Sequence, residues 1–175
     1  MDTNPADNDP TNGELVPVVL LELPVATWSR ADDETKDLMR EFALIVLNRE
    51  RDKIDVPSQL LELIEELQAN YGTIGEAQAL ILERARAEDQ TTIERLDYLM
   101  PASVQGAVQR LATMLDDADD YCRQGELLLS LASTAPAKAF RDWFFDEIYR
   151  QVAGGEPIPW PESRYATEAR EAVSE

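Results

Sequence analysis

Thr92-Ile93-Glu94-Arg95-Leu96-Asp97-Tyr98-Leu99-Met100, followed at once by Pro101, sets Glu94, Leu96, Tyr98 and Met100 against Arg95, Asp97 and Leu99. Alternation at every second position is the pattern of a strand with two unlike faces. Pro101 stands where proline suits the first turn of a helix. Val104, Val108, Leu111, Leu115, Ala118 and Cys122 then keep helical spacing, with Gly125 as the expected stop. Upstream, Val16-Pro17-Val18-Val19-Leu20-Leu21-Glu22-Leu23 is a β-rich run bounded by prolines and reads as another strand. Leu21-Glu22-Leu23-Pro24-Val25-Ala26 and Tyr98-Leu99-Met100-Pro101-Ala102-Ser103 share a strand–proline–helix order, but too few residues match to argue a duplication.

The remaining elements follow outward from these. After Pro24, Trp28, Ala31, Leu38, Met39, Phe42, Ile45 and Val46 recur at steps of three and four. They predict an amphipathic helix with Thr27 or Ser29 as N-cap and Asp32, Asp33 and Glu34 at its positive end. Asn48 to Asp55 is a charged connector. A second helix opens at Asp55-Val56-Pro57-Ser58 and carries Leu60, Ile64, Leu67 and Tyr71, with Leu61 and Leu63 widening its apolar face and Gly72 closing it. A third runs from Thr73 to Ala87 on a stripe of Ile74, Ala77, Ile81 and Ala85. Leu127-Leu128-Leu129-Ser130-Leu131 is a short apolar run that reads as a buried strand. Ala135-Pro136 begins a last helix through Val152, with Phe140, Phe144, Ile148 and Val152 inward and Gly154-Gly155 at its end. The expected fold is α/β (α+β): a small three-stranded sheet covered by about five helices, in the order β-α-α-α-β-α-β-α. The helix between the second and third strands would make a right-handed parallel crossover. Residues 1–14 read as a disordered acidic tail, 15–155 as a single globular domain, and 156–175 as a Pro-rich segment with an acidic tail.

Composition restricts function more than it defines it. Thirty-five acidic residues face sixteen basic ones, for a net charge of −19, and there is no histidine. The side chain that most often moves protons near neutral pH is therefore missing, and the field repels nucleic acid and anionic membrane. With 44% hydrophobic residues the chain is too apolar to be disordered throughout, yet it has no run long enough to span a bilayer. The N-terminus carries no basic or apolar leader pattern, and Cys122 is the only cysteine. A cytoplasmic protein is expected. Neither glycine-rich phosphate-loop pattern occurs, the usual serine-hydrolase plan lacks its base, and zinc sites of the Cys/His type are ruled out. No cofactor is expected.

Three features remain as candidates. In Asp116-Asp117-Ala118-Asp119-Asp120, the aspartates at 116 and 120 share a helix face, which suits Mg²⁺ or Ca²⁺, but a solvated acidic face explains them as well. Cys122 falls on an apolar stripe, which points to a buried inert thiol, while Arg123 beside it keeps a redox role open. Phe140-Arg141-Asp142-Trp143-Phe144-Phe145-Asp146-Glu147-Ile148-Tyr149-Arg150 is aromatic on more than one side. Either the helix is sandwiched in the fold, or Trp143, Phe145 and Tyr149 face a partner protein. Trp160, between prolines, either docks on its own domain or joins that surface.

The stretches Leu38-Met39-Arg40-Glu41-Phe42-Ala43-Leu44-Ile45 and Leu115-Asp116-Asp117-Ala118-Asp119-Asp120-Tyr121-Cys122-Arg123-Gln124-Gly125-Glu126-Leu127-Leu128 stand beside Phe140-Arg141-Asp142-Trp143-Phe144 and Pro159-Trp160-Pro161. Together with the Leu23-Pro24-Val25 that precedes the first helix, they resemble a family of uncharacterised actinobacterial proteins. Members are typically encoded beside anti-sigma ATPases, STAS-domain antagonists and PP2C-type phosphatases. The resemblance spans residues 16–161, implies a role in sigma-factor partner switching or stress signalling, and transfers no site residues. Ser58-Gln59-Leu60-Leu61-Glu62-Leu63-Ile64-Glu65-Glu66-Leu67 resembles the first ATP-binding helix of the anti-sigma kinases, but the Mg²⁺-holding Asn and the Asp-x-Gly-x-Gly lid are missing. The expectation is a non-enzymatic regulatory protein whose partner has a basic surface, with a homodimer through the same aromatic face also open. The competing reading is a degenerate ATPase-like or metal-binding domain using Asp116–Asp120.

Overall fold

The computed structural model describes residues 14–48, 56–71, 73–123 and 132–173. Strand β1 (Leu15–Pro24) pairs antiparallel with β2 (Thr92–Pro101), Leu15 lying opposite Pro101 and Pro24 opposite Thr92. Between them come α1 (Val25–Asn48), α2 (Val56–Tyr71) and α3 (Glu76–Ala87). After β2 follow α4 (Val104–Arg123), α5 (Ala135–Val152), a 3₁₀ turn at Trp160–Glu162 and α6 (Arg164–Val173). The protein is α+β and mostly helical.

The strands bury Val18, Leu20 and Leu23 on β1 and Ile93, Leu96, Tyr98 and Met100 on β2. Alternation changes phase at Glu22, which takes a left-handed φ of 52°, a conformation that non-glycine residues visit singly. The register is unchanged across this point, since Leu20 faces Leu96 and Leu23 faces Ile93. Both strands therefore turn their apolar faces together, onto α5. Phe140, Trp143 and Ile148 of α5 complete this core. A second cluster forms where Leu38 and Phe42 of α1, Leu60 of α2 and Leu115, Ala118 and Cys122 of α4 meet. Phe145 packs against both clusters.

A two-stranded sheet leaves both edges without a neighbouring strand, a condition that is marginally stable in isolation. A helix side chain meets each edge at one rung. Gln151 of α5 accepts from Val19 N and donates to Val19 O, both at 2.8 Å, so its side-chain amide takes the place of a peptide in a further strand. Gln78 of α3 donates to Asp97 O on the opposite edge. Val19 and Asp97 are cross-strand partners, so one row of the sheet is closed at each end by a glutamine. Gln151 is itself held by the buried carboxylate of Glu147, which also accepts from Ile158 N at 3.1 Å. With prolines at 157 and 159, Ile158 supplies the only backbone N–H across that tripeptide, and Glu147 takes it. Trp143 Nε1 donates to Ile158 O at 3.3 Å.

Several expectations are corrected. Among the described residues the sheet has two antiparallel strands and there are six helices, in place of three strands, about five helices and the order β-α-α-α-β-α-β-α. The run Leu127–Leu131, expected as the third strand, lies outside the described residues, as do the tail 1–13, connector residues 49–55, Gly72 and the stop at Gly125. Helix α1 starts at Val25, directly after Pro24, so Thr27 and Ser29 are not its caps and Asp32 to Glu34 fall beyond its first turn. Helix α3 starts only at Glu76, because Gly75 holds a left-handed φ of 93°. It buries Leu82 and Ala85 and leaves Ile81 half exposed, where the expected stripe placed Ile81 inward. Residues 156–173 belong to the folded body: Trp160, Tyr165, Ala166 and Ala169 are core residues.

The closing of the sheet edge makes a prediction. Replacing the buried Gln151 with Leu strands the Val19 N–H and C=O and one lone pair of Glu147, which should cost about 3 kcal/mol. Gln78→Ala, at a wetter edge, should cost under about 1 kcal/mol. Urea denaturation of both variants checks the contrast; equal losses would refute it.

Candidate protein-interaction site

Helix α5 is packed on three sides, by the sheet, by α1 and α4, and by α6. Its aromatic residues accordingly divide by depth. Trp143 is 1% exposed, its ring 5.6 Å from Phe140 and 5.4 Å, edge-on, from Trp160. Trp160 is 9% exposed. Both tryptophans expected at a partner surface are thus core residues; the sandwich reading accounts for them. Phe145 is half-buried, while Tyr149 is 46% exposed.

Phe145 and Tyr149 line a groove of about 550 Å³ walled by α4, α5 and α6. Asp142, Phe145, Asp146 and Tyr149 are spaced i, i+3, i+4 and i+7, so they form one face of α5. Asp116 of α4 and Glu168 of α6 add carboxylates from the other walls. Among the described residues the lining carries four acidic groups and one cation, Arg164, and two of the acids, Asp116 and Asp142, also pair with Lys138 beside the groove. Arg164 sits 4.7 Å over the Tyr165 ring and donates to the Tyr165 hydroxyl at 2.7 Å. The groove thus already holds one guanidinium against an aromatic face.

The aspartate run on α4 is divided among different tasks. Asp119 is fully buried. It accepts from Arg141 Nη2 and from Ser133 N, each at 2.9 Å, joining α4 to the segment that leads into α5. Burial alone pushes its carboxyl up, but the Ser133 N–H and the Arg141 guanidinium outweigh that and hold it below the usual range. Asp116 pairs with Lys138 and, at 3.1 Å, with Arg141, while Asp120 pairs with Arg123 at 2.9 Å. The solvated face expected here holds for Asp117 and Asp120 and fails for Asp119. Among the described residues no group of three potential ligands is assembled. Cys122 is buried, and burial with the nearby Asp119 carboxylate pushes its thiol up, outweighing Arg123. Glu34, expected to serve the start of its own helix, instead accepts from Thr134 N at 2.9 Å and Thr134 Oγ1 at 2.8 Å, at the start of α5.

The sequence reading missed the acidic rim of the groove, Tyr165 on its floor, and the buried groups Glu147 and Gln151. The spacing of Asp142, Phe145, Asp146 and Tyr149 is a legible signal for the rim. Tyr165, Ala166, Ala169 and Val173 stand at helical spacing, so α6 was legible as an amphipathic helix, but nothing in that spacing places Tyr165 and Glu168 beside α5. Comparison with protein-family models, with characterised proteins and with solved structures finds no match to this chain.

Asp119 supports a pH prediction. A carboxylate with a depressed folded pKa contributes stability that is present in full above the unfolded value and is lost as pH falls through the folded one. Asp119→Asn leaves Arg141 with a weakened partner in a buried site and should cost about 3 kcal/mol near neutral pH. The gap between wild type and variant should narrow as pH drops below the ordinary value of 3.8. Urea titrations across pH 2–7 test this; a gap that stays constant over that range would refute it.

Proposed function

We propose that the protein is a non-enzymatic, cytosolic regulatory protein that binds a basic segment of another protein in the groove between α4, α5 and α6. The observation that carries this reading is the pairing of an aromatic floor, Phe145, Tyr149 and Tyr165, with a rim of four carboxylates. An aromatic surface supplies contact area and cation–π attraction, and the rim selects for lysine and arginine. Arg164 over Tyr165 is the chain's own example of the contact a partner's side chain would make. The net charge of −19 adds long-range steering of a cationic partner. The resemblance seen in the sequence supports a setting in sigma-factor partner switching or a related stress-signalling circuit. No helix among the described residues is long and apolar enough to cross a membrane.

A photo-cross-linking residue at position 149 should capture a protein whose cross-linked peptide is rich in lysine or arginine. The same residue at Leu80, which is 73% exposed on α3, should not. Tyr149→Ala and the double variant Asp146→Asn, Glu168→Gln should each weaken capture at least about tenfold, with stability changed by under about 1 kcal/mol. Trp143→Ala, by contrast, should cost about 3–5 kcal/mol of folding free energy. Capture of a second copy of the chain, or equal capture from Leu80, would overturn the reading.

A further inference from the structure

Phe145, which lines the acidic groove, also lines a separate cavity of about 200 Å³ bounded by α1, α3, α5 and both strands. We propose that this cavity binds a small uncharged aromatic molecule, a single ring carrying an acceptor oxygen to which the Tyr98 hydroxyl donates.

Two side chains of the lining are nine-tenths buried and yet carry an unpartnered polar group. Tyr98 is 8% exposed, and its hydroxyl has no hydrogen bond among the described residues. Arg141 is 9% exposed. It directs Nη1 to Ser133 and Nη2 to Asp116 and Asp119, but its buried Nε has no hydrogen-bond partner, with Asp142 Oδ1 standing 3.8 Å away. A buried donor left unpaired destabilises a fold, so each such group calls for something to fill its bond. Burial pushes the Tyr98 phenol up to about 12, which keeps it a donor throughout the neutral range. An acceptor oxygen is the group that answers it, and Arg141 Nε, which can only donate, suits the same kind of atom.

The walls define the rest of the ligand. Five of the lining residues are aromatic: Trp28, Tyr98, Phe140, Phe144 and Phe145. Phe144 meets Tyr98 edge-on at 6.2 Å and Phe145 at 6.0 Å, and stacks with Phe140 at 6.5 Å. These contacts hold the rings in place, and a further ring among them would find the edge-to-face partners that aromatic groups prefer. The two charged residues of the lining are already answered within the chain. Asp32 pairs with Lys36 at 2.6 Å, and Arg141 pairs with Asp116 and Asp119. An ion would be buried here without a counter-charge of its own, which selects an uncharged ligand. Size selects one ring, because a cavity of about 150 Å³ holds benzene. Water at the Tyr98 hydroxyl would leave the aromatic walls wet. Among the described residues lining the cavity, Thr35 is the exposed one and marks the way in.

The test uses the full chain labelled with ¹⁵N and follows the Trp28 indole N–H resonance, assigned by its loss in Trp28→Phe. The probes are acetophenone, its isostere α-methylstyrene, in which a methylene replaces the oxygen, and benzoate. Acetophenone should shift the Trp28 resonance saturably. The isostere and benzoate should each bind at least about tenfold more weakly, the loss of one directed interaction or the burial of one unpaired charge. Tyr98→Phe should lower acetophenone affinity about tenfold and leave that of α-methylstyrene unchanged. This variant gives up no hydrogen bond of the chain's own, so its urea midpoint should match that of wild type and verify the fold. Ala31→Leu, which fills the space, should abolish the acetophenone shift. No saturable shift with acetophenone, equal binding of either other probe, or undiminished binding by Tyr98→Phe or Ala31→Leu would each overturn the proposal. None of these outcomes bears on the cross-link at position 149, so the two readings stand or fall separately.

Discussion

Everything positioned in this molecule depends on how Gln151 meets the edge of β1. A pair of strands has no interior strand, so every second rung turns its backbone N–H and C=O outward to whatever lies alongside. Gln151 answers both groups of Val19, and Gln78 answers its cross-strand partner from the far edge. Among the described residues this rung is thereby capped without a third strand, and β1 is held against α5. Gln151 is held in turn by Glu147, and Glu147 by Arg150 and by the N–H of Ile158. The turn that brings residues 156–160 back along α5 runs through Gly154, at φ 89°, and Gly155, where a Cβ would stand 2.6 Å from Arg150 Cγ. A side chain at Gly154 would strain its left-handed backbone and one at Gly155 would crowd Arg150, so either would loosen the Pro-rich segment and put the bond from Ile158 N to Glu147 at risk.

With α5 rotated and anchored in this way, its faces have no freedom in what they present. Phe140, Trp143 and Ile148 must enter the core, and Asp142, Phe145, Asp146 and Tyr149 are left facing the channel toward α4 and α6. The return of the Pro-rich segment also seats Trp160 beside Trp143 and Phe140. The candidate surface on α5 is thus a consequence of a single clamp between a glutamine, a glutamate and a strand edge.

The charge of the chain is distributed with similar economy. Buried carboxylates at Asp119 and Glu147 are paired or hydrogen-bonded and join elements remote in sequence. Exposed ones balance arginines locally or remain as the acidic field. A buried charge is tolerated only when its lone pairs are occupied, which is why Asp119 lies against Arg141 and Ser133 while Asp117 faces water.

The order of local elements was legible because periodicity is a property of neighbours along the chain. The strand from Val16 to Leu23, the alternation from Glu94 to Met100 and the helical spacing from Val104 to Cys122 all stand where the sequence put them. Boundaries moved where a single backbone conformation intervened, as at Gly75 before α3 and at Pro24 before α1. The acidic and aromatic stripe on α5 could be read from spacing, but its depth could not, and Trp143 and Tyr149 look equally available on a helical wheel. Only the tertiary structure decided that the sheet has two antiparallel strands among the described residues, that Trp143 and Trp160 are buried, and that the tail from Arg164 folds back as a wall. The physical reason is that sheet pairing, burial and edge closure are contacts between residues as far apart as Val19 and Gln151, and sequence spacing carries no record of them.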